Sequence, residues 1–244
     1  MFPFKDENPA ELAPYITVGL IAANLVAWIF IQGMGTNLQL SVCEYGLIPV
    51  ELTQKSVQGP HVCPLGGLSW GAIFTSMFMH GGWLHLGSNM MFMWVFGNNI
   101  EDSMGHVRYL VFYLFCGFVA AAGHVFLNSA SGMPTVGASG AISGIMGAYI
   151  VLYPQVRVHV FFPPFWVFSM RAWAVLGYWI VIQLVMGVGQ LGGYSSGVAV
   201  WAHIGGFFAG LVLVKIFERP QLVDAKREGR RIDRQEIRSR HYWV

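Results

Sequence analysis

Six long apolar runs, separated by polar or glycine- and proline-containing segments, constrain the fold of this chain more than any other feature. Each run approaches the roughly 20 residues that a helix needs to cross a lipid bilayer. Only 11% of the residues are charged, whereas soluble domains carry about a quarter, so an ordinary soluble enzyme is excluded. We therefore predict an all-α integral membrane protein with a bundle of six transmembrane helices. The predicted spans cover about 15–32, 83–100, 107–127, 137–153, 165–188 and 198–217.

The distribution of lysine and arginine predicts how these spans are oriented. If the N-terminus is cytoplasmic, 13 of the 14 basic residues lie in inside segments, and only Lys55 lies outside. Cytoplasmic loops carry an excess of basic residues, so both termini are expected inside. The resulting organisation is a cytoplasmic segment over 1–14, a membrane domain over 15–217 with a membrane-associated outer loop over 33–82, and a basic cytoplasmic tail over 218–244.

Acidic residues are absent between Asp102 and Glu218. This absence excludes a catalytic carboxylate pair in that region, and it counts against a transporter that couples ions through membrane carboxylates. The chain has no His-Glu-x-x-His motif, and His80 and His85 are five residues apart, a spacing that does not place them on one helical face. We therefore expect no metal, no cofactor and no nucleic-acid partner.

Three polar clusters lie inside the second, fourth and sixth predicted spans. They contain His85 with Asn89, Ser139 between glycines, and His203. All three spans run from outside to inside in the predicted topology, so the clusters lie at similar depth near the outer face. His85 and Asn89 are four residues apart and share one helical face. Polar side chains at membrane depth are costly, which makes each of them a candidate functional residue.

Glycines repeat at a spacing of four on the fourth and sixth spans, at Gly140, Gly144, Gly206 and Gly210. Small residues at this spacing let helix backbones approach closely. Close packing would bring the hydroxyl of Ser139 within reach of the imidazole of His203, as a nucleophile and its base require. A lone serine in a membrane helix usually packs or bonds to its own helix, so the hypothesis depends on the combination.

At these residues the sequence resembles the rhomboid family of intramembrane serine proteases. The matching motifs are His85-x-x-x-Asn89, Gly137-Ala-Ser139-Gly140 and Ala202-His203-x-x-Gly206-x-x-x-Gly210. They occur in the family's order between about residues 15 and 217, and 96–102 resembles bacterial members. The resemblance implies a six-helix bundle whose cavity opens outward, in a bacterial inner membrane.

The resemblance also implies a role for each motif residue. Ser139 would be the nucleophile and His203 the general base, while the Ser139 N–H, His85 and Asn89 would stabilise the oxyanion. The substrates would be transmembrane segments of single-span membrane proteins, which enter from the lipid. The alternative is a catalytically silent rhomboid-like protein that binds membrane helices, although the presence of both Ser139 and His203 argues against it.

The sequence departs from the family pattern at two positions. Some bacterial members carry a tyrosine that stacks on the catalytic histidine one turn after the nucleophile, where this chain has Ser143. Many have Trp-Arg in the first outer loop, whereas here Trp70 precedes Gly71. Neither departure removes a catalytic atom, but the group that orients His203 is left open.

The remaining cysteines and histidines receive structural interpretations. Cys43 and Cys63 both lie in the outer loop, where an oxidising compartment permits a disulfide, and two free thiols are the alternative. Cys116 is expected to be a buried thiol within a span. We interpret His124 as structural, and both His61 and His80 as surface or capping groups.

Overall fold

The computed structural model describes residues 1–65, 70–192 and 197–227, and this part of the chain is mostly helical. Its helices are α1 (Tyr15–Val26, continued by a π-helical turn over Ala27–Ile31), α2 (Leu38–Tyr45), α3 (Pro49–Thr53), α4 (Ala72–Thr75), α5 (Trp83–Phe92), α6 (Asn98–Met104), α7 (His106–Leu127), α8 (Ser139–Leu152), α9 (Ala172–Leu191), α10 (Val200–Phe217) and α11 (Pro220–Arg227). Its strands are β1 (Phe2–Asp6), β2 (Gln58–His61), β3 (Ser131–Gly132), β4 (Arg157–Phe162) and β5 (Trp166–Arg171).

Three helices within the described residues, α7, α9 and α10, are long and apolar enough to cross a bilayer. Helices α1 and α8 are apolar but shorter. The second predicted span consists of α5 and α6 joined by a π-helical segment over Met93–Gly97. The chain is thus a mostly helical membrane protein, and the count of six spans stays a prediction.

Helix α8 lies at the centre of the bundle, where nearly all of its residues are buried. Helices α7 and α10 pack against it, and α10 approaches it most closely at glycines. A Cβ added at Gly206 would overlap the Gly140 carbonyl, and one at Gly210 would overlap the Gly144 carbonyl. The backbones of α8 and α10 are therefore in direct contact at these glycines, and a side chain at Gly206 or Gly210 would prevent that contact.

A small antiparallel sheet in the order β1-β4-β5 lies beyond the end of α8 that is farther from Ser139. This sheet corrects the sequence analysis, which predicted no strands and began the fifth span at residue 165. The structure begins α9 at Ala172 and places 166–171 in β5. Alternation is nevertheless present in β4, where Val158 and Val160 are buried and their neighbours are not. Aromatic residues at the end of β4 and at the start of β5 hid this period-two pattern in the sequence.

Two carboxylates of α6 hold the N-terminal segment against the bundle. Glu101 accepts hydrogen bonds from the backbone N–H groups of Ile16 and Thr17, at 2.9 and 2.8 Å. These donors belong to the first turn of α1 and have no partner within their own helix. Asp102 similarly accepts from the N–H groups of Glu11 and Leu12. Each carboxylate thus stabilises a backbone segment about 90 residues away.

Asp6, at the end of β1, provides a pH-dependent contact beside this network. Its Oδ2 accepts hydrogen bonds from Tyr149 Oη at 2.5 Å and from Asn99 Nδ2 at 2.8 Å. Burial raises the pKa of Asp6 from 3.8 to about 6, although the Tyr149 hydrogen bond and the charge of Lys226 oppose this rise. Between these two values the folded protein holds a proton that the unfolded chain releases, so stability rises as the pH falls through 6 toward 4.

We expect Asp6→Asn to remove this pH dependence, because asparagine keeps an acceptor oxygen and does not titrate. Relative to that variant, the wild type should gain roughly 1–3 kcal/mol between about pH 7.5 and pH 4.5. Thermal unfolding in detergent micelles at both pH values would measure the gain, with the exposed Glu11→Gln as a control. An equal difference in Tm at the two pH values would contradict the prediction.

The segment over 33–82, which is predicted to form the outer loop, includes among its described residues the short helices α2, α3 and α4 and the strand β2, which pairs in parallel with β3. Cys43 and Cys63 form a disulfide that links α2 to the segment after β2. The sequence left open whether these cysteines form a disulfide or two free thiols, and the structure contains the disulfide. Cys116 is a buried free thiol, as expected.

His80 corrects another expectation. It is fully buried rather than a surface or capping group. The side-chain amide of Gln32 bonds to both the backbone N–H and the carbonyl of His80, at 2.8 Å each. These bonds fix the chain just before α5 against the end of α1. His61, in contrast, is exposed.

The beginning of the predicted cytoplasmic tail is helical. Helix α11 places Lys226 against Asn99 Oδ1 and Asp102 Oδ2, at 2.8 Å each. The tail helix and the N-terminal segment therefore meet at α6. Residues 228–244, which carry most of the predicted basic tail, lie outside the described residues.

Candidate active site

Ser139 is the first residue of α8, and the backbone before it requires a glycine. Gly137 has φ of +125°, a conformation that side-chain-bearing residues rarely adopt. A Cβ at this position would also lie 2.8 Å from His85 Nε2. Gly137 therefore lets the chain turn into α8 and lets His85 lie directly beside that turn.

His203, in the first turn of α10, faces Ser139 across the glycine contact between α8 and α10. Its Nε2 lies 2.8 Å from Ser139 Oγ, which is hydrogen-bonding distance. The two residues are 64 positions apart in the chain, so only the packing of these helices brings them together. A hydroxyl bonded to an imidazole nitrogen is the geometry of an activated nucleophile and its general base.

The other nitrogen of His203 contacts a residue that the sequence analysis did not select. His203 Nδ1 lies 2.9 Å from Oε1 of Gln183 on α9. The Trp179 ring, one turn earlier on α9, lies 5.7 Å from the His203 ring. Ser143, at the position of the family's stacking tyrosine, donates instead to the Ser139 carbonyl at 2.6 Å. The available signal for Gln183 was a polar side chain within an apolar run.

His85 and Asn89 of α5 lie on the same side of the bundle as Ser139. His85 Nδ1 accepts a hydrogen bond from the Gly81 N–H at 3.2 Å, so in the neutral ring Nε2 carries the hydrogen. Asn89 Nδ2 is buried and has no hydrogen-bond partner among the described residues. Other buried polar atoms of the described residues also lack a partner, among them both ring nitrogens of His80. Of these residues only Asn89 lines the cavity described next, which makes its amide a candidate donor to a ligand oxygen.

One cavity of about 740 Å³, which we call the Ser139 cavity, is lined by Ser139, His203, His85 and Asn89. Its wall also includes polar residues of α7 and of the segment that follows, among them His124, Asn128 and Thr135. His124 Nε2 lies 2.9 Å from Thr135 Oγ1, which fits the structural role expected for it. No acidic residue belongs to the part of the wall that the structure describes.

The arrangement is suited to acyl transfer. It combines a hydroxyl, an imidazole in contact with it, and the candidate donors His85 and Asn89 on the same cavity wall, which are the three components that the chemistry requires. Within the described ranges, no group of three or more His, Cys, Asp or Glu side chains could hold a metal ion.

Comparisons with known proteins show which family the chain resembles. The family model described as "Rhomboid domain" matches residues 68–220. RHOMBOID-like protein 7 of Arabidopsis thaliana is 30% identical over 61% of this chain and 46% of its own length. Rhomboid-like protein 11, chloroplastic, from the same plant is 29% identical, over 81% of this chain and 66% of its own. Rhomboid-type serine protease 2 of Emericella nidulans is 28% identical, over 59% of this chain and 26% of its own length.

The chain spans less than half the length of the first and the last of these relatives. All three are eukaryotic, so the resemblance to bacterial members and the bacterial membrane stay predictions. The family model covers more than half of the chain and includes all four residues named from the motifs. On this evidence the chain belongs to the rhomboid family.

Proposed function

We propose that the protein is an intramembrane serine endopeptidase that cleaves transmembrane segments through a dyad of Ser139 and His203. The observation that carries this proposal is the 2.8 Å contact between Ser139 Oγ and His203 Nε2 at the wall of a polar cavity. Membership in the rhomboid family and the similarity to a relative named as a serine protease support it.

In this mechanism His203 acts first as a base and then as an acid. Its Nε2 takes the proton from Ser139 as Oγ attacks the scissile carbonyl, and the resulting imidazolium then protonates the leaving amine. The acyl-enzyme is hydrolysed by a water molecule that gives its proton to the same nitrogen. Polar residues on the wall of the Ser139 cavity would admit that water to a site among apolar helices.

Three donors would stabilise the oxyanion that forms during attack. The Ser139 N–H belongs to the first turn of α8, where N–H groups are free and the helix dipole favours negative charge. His85 Nε2 and Asn89 Nδ2 lie on the facing helix α5. Asn89 Nδ2 has no hydrogen-bond partner among the described residues and its side chain lines the Ser139 cavity, which supports its role as a donor.

We expect Asn89→Ala to lower kcat by about 10- to 1,000-fold with a much smaller change in KM, because the donor acts on the transition state. Steady-state cleavage of a transmembrane peptide would measure both constants. Ser88→Ala is a matched control, because that hydroxyl bonds to the carbonyl of His85 within its own helix. A rise in KM with kcat intact would identify Asn89 as a packing or substrate-binding residue instead.

The proposed membrane arrangement has six spans, with both termini cytoplasmic and the Ser139 cavity opening to the outer side. Ser139, His203 and His85 all lie near the N-terminal ends of α8, α10 and α5, which is consistent with three spans that run in the same direction. The Cys43–Cys63 disulfide belongs to the loop that leads into α5. A disulfide at this end supports its exposure to an oxidising compartment.

The proposed domain division follows from this arrangement. A cytoplasmic segment over 1–14 precedes the protease domain over 15–217, which includes the membrane-associated outer loop over 33–82, and the tail over 218–244 is cytoplasmic. The membrane is predicted to be a bacterial inner membrane, whereas one of the relatives is named as chloroplastic.

The proposed substrates are transmembrane segments of single-span proteins. A regular helix hides its amides in backbone hydrogen bonds, so cleavage should favour segments with glycine or other weak helix formers near the cut. The competing function is a silent rhomboid-like protein that binds helices without cutting them.

Incubation of the purified protein with a fluorogenic transmembrane peptide, together with fluorophosphonate labelling, separates these functions. A protease cleaves the peptide and carries the label on Ser139, whereas a silent binder does neither.

A further inference from the structure

We propose that Gln183 is a positioning residue that completes the dyad as an uncharged third member. Its Oε1 lies 2.9 Å from His203 Nδ1, on the side of the ring opposite Ser139. The proposal rests on the proposed function and goes beyond it, since the dyad by itself leaves the orientation of the imidazole unexplained.

The amide oxygen determines which nitrogen of His203 carries the hydrogen. An amide oxygen can only accept a hydrogen bond, so Nδ1 must be the donor. In the neutral ring this leaves the lone pair on Nε2, which lies 2.8 Å from Ser139 Oγ. The contact with Gln183 thus holds the base in the one tautomer that can receive the proton of Ser139.

The packing of α9 against α10 holds Gln183 in place. Trp179, Gln183 and Gly187 follow each other at intervals of four and so share one face of α9. Trp179 contacts the His203 ring, and a Cβ at Gly187 would lie within about 3.3 Å of Trp201 and Ile204 on α10. Gln183, only 8% exposed, lies between these two contacts.

An amide also suits this position chemically. A carboxylate buried among membrane helices is costly unless a cation pairs with it, and no cation of the described residues faces the position of Gln183. Among the described residues, the titratable side chains that share the cavity with His203 are His85 of α5 and His124 of α7, and neither is acidic. An amide orients the ring without that desolvation cost, and it stabilises the imidazolium less than a carboxylate would.

Two substitutions at Gln183 test this role. Gln183→Met keeps the length of the side chain and removes the acceptor, so we expect kcat to fall by about 10- to 100-fold with little change in KM or Tm. Gln183→Glu supplies a charged acceptor that stabilises the imidazolium, so the acidic limb of the kcat/KM profile should move to higher pH. A side chain at position 183 that did not contact His203 Nδ1 would not move that limb.

Leu184→Met is the matched control, since it places methionine one residue farther along the same helix at an exposed position. Among the described residues Leu184 does not line the Ser139 cavity, so its variant should keep the pH profile and kcat of the wild type. If Gln183→Met keeps the wild-type kcat and pH profile, the inference is overturned while the dyad stands. If Gln183→Met does not fold, an unshifted acidic limb in Gln183→Glu overturns it. Absence of wild-type cleavage and of fluorophosphonate labelling would remove the proposed function itself.

Discussion

Replacing Ser139 with alanine is expected to lower cleavage of a transmembrane peptide by about 10⁴-fold or more, and His203→Ala is expected to do the same. The reason is that the hydroxyl and the imidazole act as one unit across their 2.8 Å contact. Once either is lost, the other contributes nothing further to proton transfer. The double variant should therefore be no worse than either single variant, and rates measured in detergent would show this directly.

The control for this experiment lies one turn farther along α8. Ser143→Ala removes a hydroxyl that bonds to the backbone carbonyl of Ser139, so it should keep activity within a few-fold of the wild type. Fluorophosphonate should label the wild type and Ser143→Ala but not Ser139→Ala. Wild-type rates in Ser139→Ala or in His203→Ala would refute the dyad.

The second large effect is expected at Gly210, in the contact between α8 and α10. A methyl group there would overlap the Gly144 carbonyl, so the two helices would have to separate. Overpacking of a buried contact costs about 1–3 kcal/mol. Separation would also lengthen the distance between Ser139 and His203, so Gly210→Ala should lower both Tm and kcat.

Gly177→Ala is the matched control for this substitution. It adds the same methyl group to a membrane helix, α9, where no atom lies within 4 Å of the new Cβ. Thermal unfolding in micelles should show a lower Tm for Gly210→Ala than for both Gly177→Ala and the wild type. Equal Tm values for the two variants would show that the backbone contact at Gly210 is not needed for stability.

The catalytic candidates could be named from the sequence because their signal is local. Ser139 and His203 each lie beside glycines spaced four apart, and each stands out as a polar residue within an apolar run. Such a pattern can be recognised in the sequence without knowledge of how the helices pack. The structure places both residues, together with His85 and Asn89, on one cavity wall.

Gln183 could not be selected in the same way. Gln183 and His203 are 20 positions apart, and the segment between them carries no motif that links the two. Their contact depends on how α9 is rotated about its own axis, and that rotation is decided by Trp179 and Gly187 against α10. Many residues of an apolar helix can face either lipid or protein, so composition does not reveal the rotation.

The strand pairing of the small sheet and the contacts of the N-terminal segment could not be predicted from the sequence either. Strand β4 pairs with β1, which lies more than 150 residues earlier, so no local pattern could indicate the partner. Glu101 and Asp102 were visible as the last acidic residues before a long gap. Their role, which is to accept backbone N–H groups near the start of α1, required the fold.

The membrane character and the candidate nucleophile and base could be predicted from the amino-acid sequence, because apolar runs, glycine spacing and polar residues at membrane depth are properties of short segments. The family was indicated by the resemblance of the motifs around these residues. Which atoms meet could be seen only in the folded chain, where His203 Nε2 contacts Ser139 Oγ and His203 Nδ1 contacts Gln183. These contacts depend on the rotation and closest approach of helices, which arise from packing across the whole bundle rather than from any one segment.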